Sequence, residues 1–246
     1  NQEVEDTDTI ITNQKTDKAS SNTVTIEANG KNDKVEVTLK DVNIDTSSRN
    51  NAAVSVTGSG NTTIKLDGDN HLTGGISDNG SYGLSGISSS GSLTISGGET
   101  DSLTAQGGSG TDGSGGRGIF SKDLTISGGT VNANGGDGKN SSDGGDGITN
   151  NRGVTISSGG TVTAKGGSGE DGSGGRGISS FGGVTISSGG TVTATGGNST
   201  SSDGSGGDGI HSGSLTISGG TVTATGGGST GSNGLGGRGI YSVSGD

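Results

Sequence analysis

The chain contains no cysteine, proline, methionine or tryptophan among its 246 residues, and only two tyrosines and two phenylalanines. Without cysteine, disulfides, thiol chemistry and cysteine-ligated zinc are excluded. Without proline and without a strict Gly-X-Y period, a collagen triple helix is excluded. No run of about 18 apolar residues occurs, so we expect no membrane insertion.

Hydrophobic residues make up only 22% of the chain, glycine accounts for 59 residues, and the formal net charge is −11. This composition by itself is typical of disordered chains. The acidic balance and the scattered Arg and Lys residues argue against nucleic acid as a partner. The chain does not begin with Met and shows no signal peptide. We therefore expect a secreted product from which such a peptide was removed.

An internal repeat of about thirty residues indicates an ordered fold in spite of this composition. Each copy consists of an apolar residue followed by Thr-Ile-Ser, a glycine pair, Thr-Val-Thr-Ala, a Gly/Ser/Asp loop and Gly-[Arg/Asp]-Gly-Ile. The copies begin at Leu93, Leu124, Val154, Val184 and Leu215. A fixed period of this length indicates a solenoid, in which neighbouring units stack because none can bury its apolar face alone.

Within each copy, apolar and polar residues alternate over two short segments, such as 154–157 and 161–164. Alternation with period two predicts strands with one buried face. A third segment ends at Ile178. We therefore predict an all-β fold, a three-sided, right-handed parallel β-helix with about thirty residues per coil and about seven coils. The residues beyond a bare coil lie in one loop, about 166–175 in this copy.

Stacking predicts inward columns of equivalent aliphatic residues at the strand spacing of about 4.8 Å. One column is Ile95, Ile126, Ile156, Ile186 and Ile217. Another is Ile119, Ile148, Ile178, Ile210 and Ile240. The glycine pairs at 128–129, 159–160, 189–190 and 219–220 are expected at corners with positive φ. We divide the chain into a polar tail, 1–21, and a single solenoid, 22–246, with irregular coils over 22–92 and regular Gly-rich coils over 93–246.

The repeats LTISGGTVTATGG and GGRGI resemble the Gly-rich β-helix repeats of large secreted or wall-attached proteins of Gram-positive bacteria. The upstream stretch, with NTTIKLDGDNHLTGG and YGLSGI, resembles the opening of the same family. The resemblance covers roughly residues 22–246. Members are described as adhesin-like or carbohydrate-binding-domain-containing, which implies a β-helix at the cell surface. No binding motif of the family maps onto particular residues of this chain.

Charged residues of alternating sign precede the final Gly-Ile of successive copies. They are Arg117, Asp146, Arg176, Asp208 and Arg238. Stacked at one strand spacing, each Arg would lie between carboxylates, which is the favourable order for charges on neighbouring strands. We interpret them as a structural ladder that fixes register.

Loop carboxylates offer a weak calcium hypothesis. Asp112, Asp171 and Asp203 each lie five residues before a ladder position. Calcium takes six to eight oxygen ligands, so weak loop sites are conceivable, whereas solvated acidic loops are the simpler interpretation. Asp171 and Asp203 could also form a pair of carboxylates at the roughly 5 Å separation of retaining glycosidases. Since aromatic residues are scarce, we predict no enzyme, no catalytic residue and no cofactor.

Threonine columns on two outward faces leave a further alternative. Thr161, Thr191 and Thr221, with Thr163, Thr193 and Thr223 beside them, would form a flat array. Such arrays resemble the ice-binding faces of β-solenoid antifreeze proteins, although threonine is also simply a good strand residue.

The two ends complete the prediction. After Ile240, Tyr241 and Val243, the next apolar-Thr-Ile-Ser strand is missing, so we expect a piece of a longer array or an end covered by another molecule. The polar tail holds one strand-like island, Thr9, Ile10, Ile11 and Thr12, which could serve as a cap or as a donor strand for a neighbouring copy. We predict a non-enzymatic structural or adhesive solenoid, extracellular or on the cell surface, polymerising head-to-tail with itself. The alternative is a module that binds surface glycans.

Overall fold

The computed structural model describes residues 9–13, 18–78 and 80–244. Residues 1–8 and 14–17 of the predicted tail lie outside the described residues. Over the described part, every pair of strands is parallel, and one isolated antiparallel bridge joins Ile76 to Gly83. The described residues hold no helix of the length and apolarity needed to cross a membrane.

Within these described ranges, twenty-one strands follow one another. They are β1 (Thr9–Thr12), β2 (Val24–Glu27), β3 (Lys34–Lys40), β4 (Asn43–Asp45), β5 (Val54–Thr57), β6 (Asn61–Asp67), β7 (Asp69–Thr73), β8 (Ile87–Ser89), β9 (Ser92–Ser96), β10 (Ser102–Gln106), β11 (Ile119–Ser127), β12 (Thr130–Asn134), β13 (Gly138–Ser142), β14 (Ile148–Ser157), β15 (Thr161–Lys165), β16 (Gly169–Asp171), β17 (Ile178–Ile186), β18 (Thr191–Thr195), β19 (Ile210–Ile217), β20 (Thr221–Thr225) and β21 (Ile240–Ser242).

These strands form three faces of a β-solenoid. The first face contains β1, β3, β6 and β9 and then the second halves of β11, β14, β17 and β19. The second face is the seven-stranded sheet from β4 to β20. The third contains β2, β5, β8, the first halves of the same four long strands, and β21. The long strands continue around one corner, so two of the faces merge into one twelve-stranded sheet.

The solenoid has eight turns, one more than the sequence count of about seven. The additional turn is the first, because β1 pairs with β3, Ser20 bridges to Ile44 and β2 pairs with β5. Among the described residues the solenoid already includes Thr9, upstream of residue 22, where the sequence suggested its start. The island at Thr9–Thr12 is part of the first coil of its own chain.

The predicted inward columns form the core. Ile95, Ile126, Ile156 and Ile186 pair in register along the first face and are fully buried. Ile119, Ile148, Ile178 and Ile210 do the same on the third face. Because each strand sends alternate residues inward, two or three aliphatic side chains per strand fill a thin rod. This geometry explains how a chain with few apolar residues forms a continuous core.

The corners between the first and second faces differ from the prediction in one detail. Where the repeat has two glycines only, Gly128 and Gly129 both have positive φ. Where serine precedes the pair, the positive φ falls on Ser158 (54°) and Gly159, and Gly160 is not among the positive-φ residues. In these copies the inserted serine shifts the two positive-φ residues one position earlier relative to the strand that follows.

The Gly-rich loops, which lie between the second and third faces, stack into a lobe beside the main rod. One hydrogen bond joins the two arms of each loop, and the next joins that loop to its neighbour. The series runs from the Gly116 amide to the Gly108 carbonyl, Gly136 to Gly116, Gly145 to Gly136, Gly167 to Gly145, Gly175 to Gly167, Gly197 to Gly175, Gly207 to Gly197, Gly227 to Gly207 and Gly237 to Gly227, at 2.7–2.9 Å. We call this series the glycine ladder.

The glycine ladder shows that the backbone of these loops is packed, although the loop carboxylates Asp112, Asp171 and Asp203 are exposed. Gly145, Gly167 and Gly175 are buried, and a Cβ at Gly175 would lie 2.0 Å from the Gly145 carbonyl oxygen. Only a residue without a side chain permits this approach of backbone to backbone. Two short strands, β13 and β16, pair at the outer end of the lobe. The lobe is thus a packed part of the fold.

Candidate functional site

A groove of 740 Å³ runs across four coils at the base of the lobe. Its walls come from the segments around Asn51, Tyr82, Arg117 and Asp146, one from each coil. The groove lies at the coils where, along the solenoid, long loops first occur. The coil of Asn51 has only the short turn 46–53 between β4 and β5, whereas the coil of Tyr82 has a full loop, 74–86, and this difference leaves a step beside the first lobe layer. The volume falls within the range of small-ligand sites, about 300–1,000 Å³.

Aromatic and charged side chains share this groove. The Tyr82 side chain is 57% exposed although its turn is fixed, because the Tyr82 amide donates to Ser77 Oγ and its carbonyl accepts from the Ser77 amide. The Arg117 guanidinium lies 5.2 Å from the centre of the Phe120 ring, a cation–π contact. The carboxylates of Asp143 and Asp146 lie further along.

The ladder residues stack in the predicted order, but not as ion pairs. Backbone bonds join the coils at each step, for example from the Gly147 amide to the Arg176 carbonyl. The ion pairs of the described residues include no Arg–Asp pair of this ladder. Instead, Asp146 Oδ1 accepts from the Arg176 amide at 2.7 Å, and Asp208 Oδ1 accepts from the Arg238 amide at 2.8 Å. The aspartates therefore hold register through the backbone of the next coil.

Each ladder side chain contacts the residue three positions later, across Gly-Ile. The five pairs are Arg117 with Phe120, Asp146 with Thr149 (2.9 Å), Arg176 with Ser179 (3.3 Å), Asp208 with His211 (2.8 Å) and Arg238 with Tyr241 (4.3 Å to the ring centre). Each charged group thus makes one contact within its own coil, because Gly-Ile places both side chains on one side of the strand start. Of the five ladder residues, the two aspartates are those whose side chains accept a backbone amide of the next coil.

The structure does not bring the predicted loop carboxylates together in the part of the chain described. No group of three or more Asp, Glu or His residues there has the geometry to hold a metal ion. Asp112 accepts from the Asn140 side chain, and Asp203 accepts from the Asn233 side chain at 2.8 Å. Asp171 has a positive φ of 59°. These residues connect neighbouring loop tips.

Exposed ion pairs are found elsewhere on the irregular coils. Lys40 Nζ lies 2.8 Å from Asp67 Oδ2, and this hydrogen bond raises the pKa of Lys40. Both side chains are about half exposed, so the pair adds little to stability. Because the folded pKa is raised, the contribution of Lys40 is present at neutral pH and is lost as Lys40 deprotonates in alkaline solution.

The threonine columns exist as predicted. Thr161, Thr191 and Thr221 pair in register, as do Thr163, Thr193 and Thr223. In the preceding coil, however, Asn132 occupies the second column. The array with two threonines per strand therefore spans three coils.

The predicted assembly residues lie at opposite ends of the rod. Thr9 to Thr12 form the outermost strand of the first face, with Ile10 61% exposed. At the other end, Ile240 and Tyr241 lie in β21, where Tyr241 packs 4.7 Å from the His211 ring. The Val243 amide donates to the Ser212 carbonyl at 2.9 Å, and its side chain is exposed. The donor-strand hypothesis now has to accommodate a β1 that is already paired on one edge.

Sequence analysis missed the groove, because its walls come from four coils of unequal length. The available signal was Tyr82, an aromatic residue in the loop 74–86, which follows the much shorter turn 46–53 of the preceding coil. Searches against family models, curated proteins and solved structures returned no match for this chain.

Proposed function

We propose that this protein is a non-enzymatic, extracellular structural and adhesive rod. The observation that carries the proposal is that two separate sets of hydrogen bonds join neighbouring coils. One set lies in the three faces of the main rod, and the other is the glycine ladder of the lobe. A segment can leave such a stack only by breaking contacts with both neighbouring coils at once. The surface location rests on the resemblance to wall-attached repeat proteins.

This arrangement favours a spacer that withstands extracellular proteases. Proteases cut segments that open locally, and local opening is rare where backbone hydrogen bonds are buried and closely packed. Surface loops would ordinarily be the first sites of cleavage. Here the loops are joined by the glycine ladder, so even the most glycine-rich segments are held on both sides.

The test combines location and resistance. Antibodies against the chain should label intact cells of the source organism without permeabilisation. Purified protein treated with a broad-specificity protease should retain the segment from 93 to 225 while its ends are trimmed, as mapped by mass spectrometry. Labelling only after permeabilisation, or early cleavage inside the loops at 107–116 or 166–175, would contradict the proposal.

Glycan binding is a second candidate, which the groove at the base of the lobe favours. The backbone groups in its walls are already bonded between coils; for example, the Gly115 amide donates to the Asp143 carbonyl at 3.0 Å. A ligand must therefore be recognised by side chains. A sugar offers apolar ring faces for Tyr82 and hydroxyls for the carboxylates of Asp143 and Asp146.

On a polysaccharide array, the wild-type chain should then bind at least one glycan saturably. Tyr82→Ala should weaken this binding about ten-fold, which corresponds to about 1.4 kcal/mol, without changing the unfolding midpoint. Phe181→Ala is the matched control, because Phe181 is the most exposed aromatic residue described and lies outside the groove. Equal losses in the two variants would rule out the groove as the binding site.

A further inference from the structure

The floor of the groove at the base of the lobe consists of small side chains, which give the groove its depth. The larger side chains of Arg117 and Phe120 rise directly beside this floor. The register of the third face aligns these two residues with small side chains in the two preceding coils. The four floor residues are Ala52, Ser55, Ser85 and Ser88. A ligand lying on this floor therefore meets Arg117 from the side.

Arg117 has a carboxylate neighbour on only one side of its column. The following coil places Asp146 beside it, whereas the preceding coil places Ser85 there. Arg176, by comparison, lies between Asp146 and Asp208. None of the ion pairs among the described residues involves Arg117, whose side chain is exposed at the groove. Its positive charge is therefore open on the side of the floor.

The two carboxylates of the groove are engaged with the backbone of the coil beyond them. Asp143 Oδ1 accepts from the Ser173 amide at 2.7 Å, and Asp146 Oδ1 accepts from the Arg176 amide at 2.7 Å. Both aspartates belong to the coil that follows Arg117, on the side away from the floor. Apart from these three charged residues, every residue that lines the groove is uncharged. The floor side of Arg117 is thus a neutral surface next to one cation.

Tyr82 provides an apolar surface on the lobe side of the same floor. A Cβ at Gly113 would lie 3.1 Å from Tyr82 Cδ1, so the ring rests against the loop of the next coil. More than half of the Tyr82 side chain nevertheless remains exposed. Small-ligand sites commonly combine aromatic surface with a few polar groups that fix the orientation of the ligand. Tyr82 and Arg117 offer this combination.

We propose that the groove binds an acidic sugar, whose carboxylate is held by Arg117 while one face of its ring rests on Tyr82. The inference rests on the glycan binding proposed above for this groove and adds the class of glycan. A guanidinium presents parallel N–H donors that match the two oxygens of a carboxylate. The cation–π contact with Phe120 orients Arg117 without supplying a carboxylate, so its charge remains for the ligand.

Charge favours a single carboxylate over a more highly charged group. One guanidinium neutralises one negative charge, and the nearby Asp143 and Asp146 disfavour a second, because like charges placed side by side repel. A phosphate ester carries about −1.5 to −2 charges at neutral pH. A sugar acid carries one charge per ring. The groove therefore fits a glycan whose carboxylate lies at Arg117 and whose neutral hydroxyls face the aspartates.

Carboxyl reduction of the ligand tests this inference directly, because it converts the carboxylate to a neutral hydroxymethyl group and leaves the rest of the sugar unchanged. Hexasaccharides of polygalacturonate, hyaluronate and alginate are compared with their carboxyl-reduced forms by isothermal titration calorimetry with the whole chain. We expect at least one acidic probe to bind about ten-fold more tightly than its reduced form. Raising the NaCl concentration from about 0.05 M to about 0.5 M should remove most of this difference, since salt screens exposed charges.

Substitutions at and beside the arginine assign the preference to the groove. Arg117→Gln should abolish the preference for the acidic probe over its reduced form. Arg152→Gln is the matched control, because Arg152 is an exposed arginine outside the groove, and it should keep the preference. Ser85→Asp places a carboxylate on the open side of Arg117, as Arg176 has on both sides. It should weaken binding of the acidic probe several-fold more than Ser85→Asn, which adds a similar volume without charge.

The outcomes separate this inference from the functions proposed above. Equal binding of acidic and reduced probes, with the loss in Tyr82→Ala retained, would overturn the acidic-sugar class and leave glycan binding at the groove standing. Tighter binding of a sulfated hexasaccharide than of every carboxylated probe would also overturn it. An acidic preference that persists in Arg117→Gln would move the site away from the groove. Failure of every glycan to bind would refute glycan binding as well, while surface labelling and protease resistance would still decide the rod function.

Discussion

Gly175→Ala is expected to destabilise the protein by about 3 kcal/mol or more, as for severe overpacking of a core. The added Cβ would lie 2.0 Å from the Gly145 carbonyl oxygen and 2.5 Å from its carbonyl carbon. The obstacle is backbone, so no rotamer change can relieve it. Two bonds of the glycine ladder, from Gly175 to Gly167 and from Gly197 to Gly175, would be strained together. Urea denaturation followed by circular dichroism measures the change.

Gly153→Ala is the matched control for this prediction. Gly153 lies in β14, has no positive φ, and a Cβ there would have as its nearest atom the Gly183 carbonyl oxygen at 3.6 Å, an ordinary contact. We expect its unfolding free energy to stay within about 0.5 kcal/mol of the wild type, as for unconstrained sites. Similar effects of the two substitutions would show that the lobe is not closely packed in solution.

Ile156→Ala should lower the free energy of unfolding by about 2–5 kcal/mol, the usual range for deleting a buried aliphatic side chain. Ile156 is fully buried, and Ile126 and Ile186 lie directly before and after it in the column. The surrounding coils are held apart by their own hydrogen bonds, so they cannot collapse into the cavity. Urea denaturation gives the value.

The same column provides the control, Ile217→Ala, which removes the same atoms at the end of the rod. Ile217 is about half exposed, so in dilute protein we expect a loss below about 1.5 kcal/mol. The comparison separates burial from residue chemistry, because both positions carry isoleucine in the same strand register. A loss at position 217 as large as that at position 156 would contradict the difference in burial between the two side chains.

The tertiary structure changed the interpretation of several charged residues. From Arg117, Asp146 and Arg176 alone, alternating charge predicted pairing between coils. The structure places each carboxylate on a backbone amide of the next coil and each guanidinium over a neighbour three residues later. Sequence spacing reports which residues share a column, but not in which direction a long side chain turns. The groove beside Tyr82 escaped prediction for a related reason, since it depends on the difference in loop length between adjacent coils.

By itself, the sequence determined the parallel solenoid, its strand registers and its aliphatic columns. A thirty-residue period with two alternating segments leaves only one way for equivalent residues to be buried, namely by stacking on one another. Only the tertiary structure decided the state of the glycine-rich loops and of the first coil. The loops are packed because glycine backbones in neighbouring coils approach within hydrogen-bonding distance, an event between segments thirty residues apart. β1 joins the solenoid because β3 offers it a free edge, which nothing in the local sequence of Thr9–Thr12 reveals.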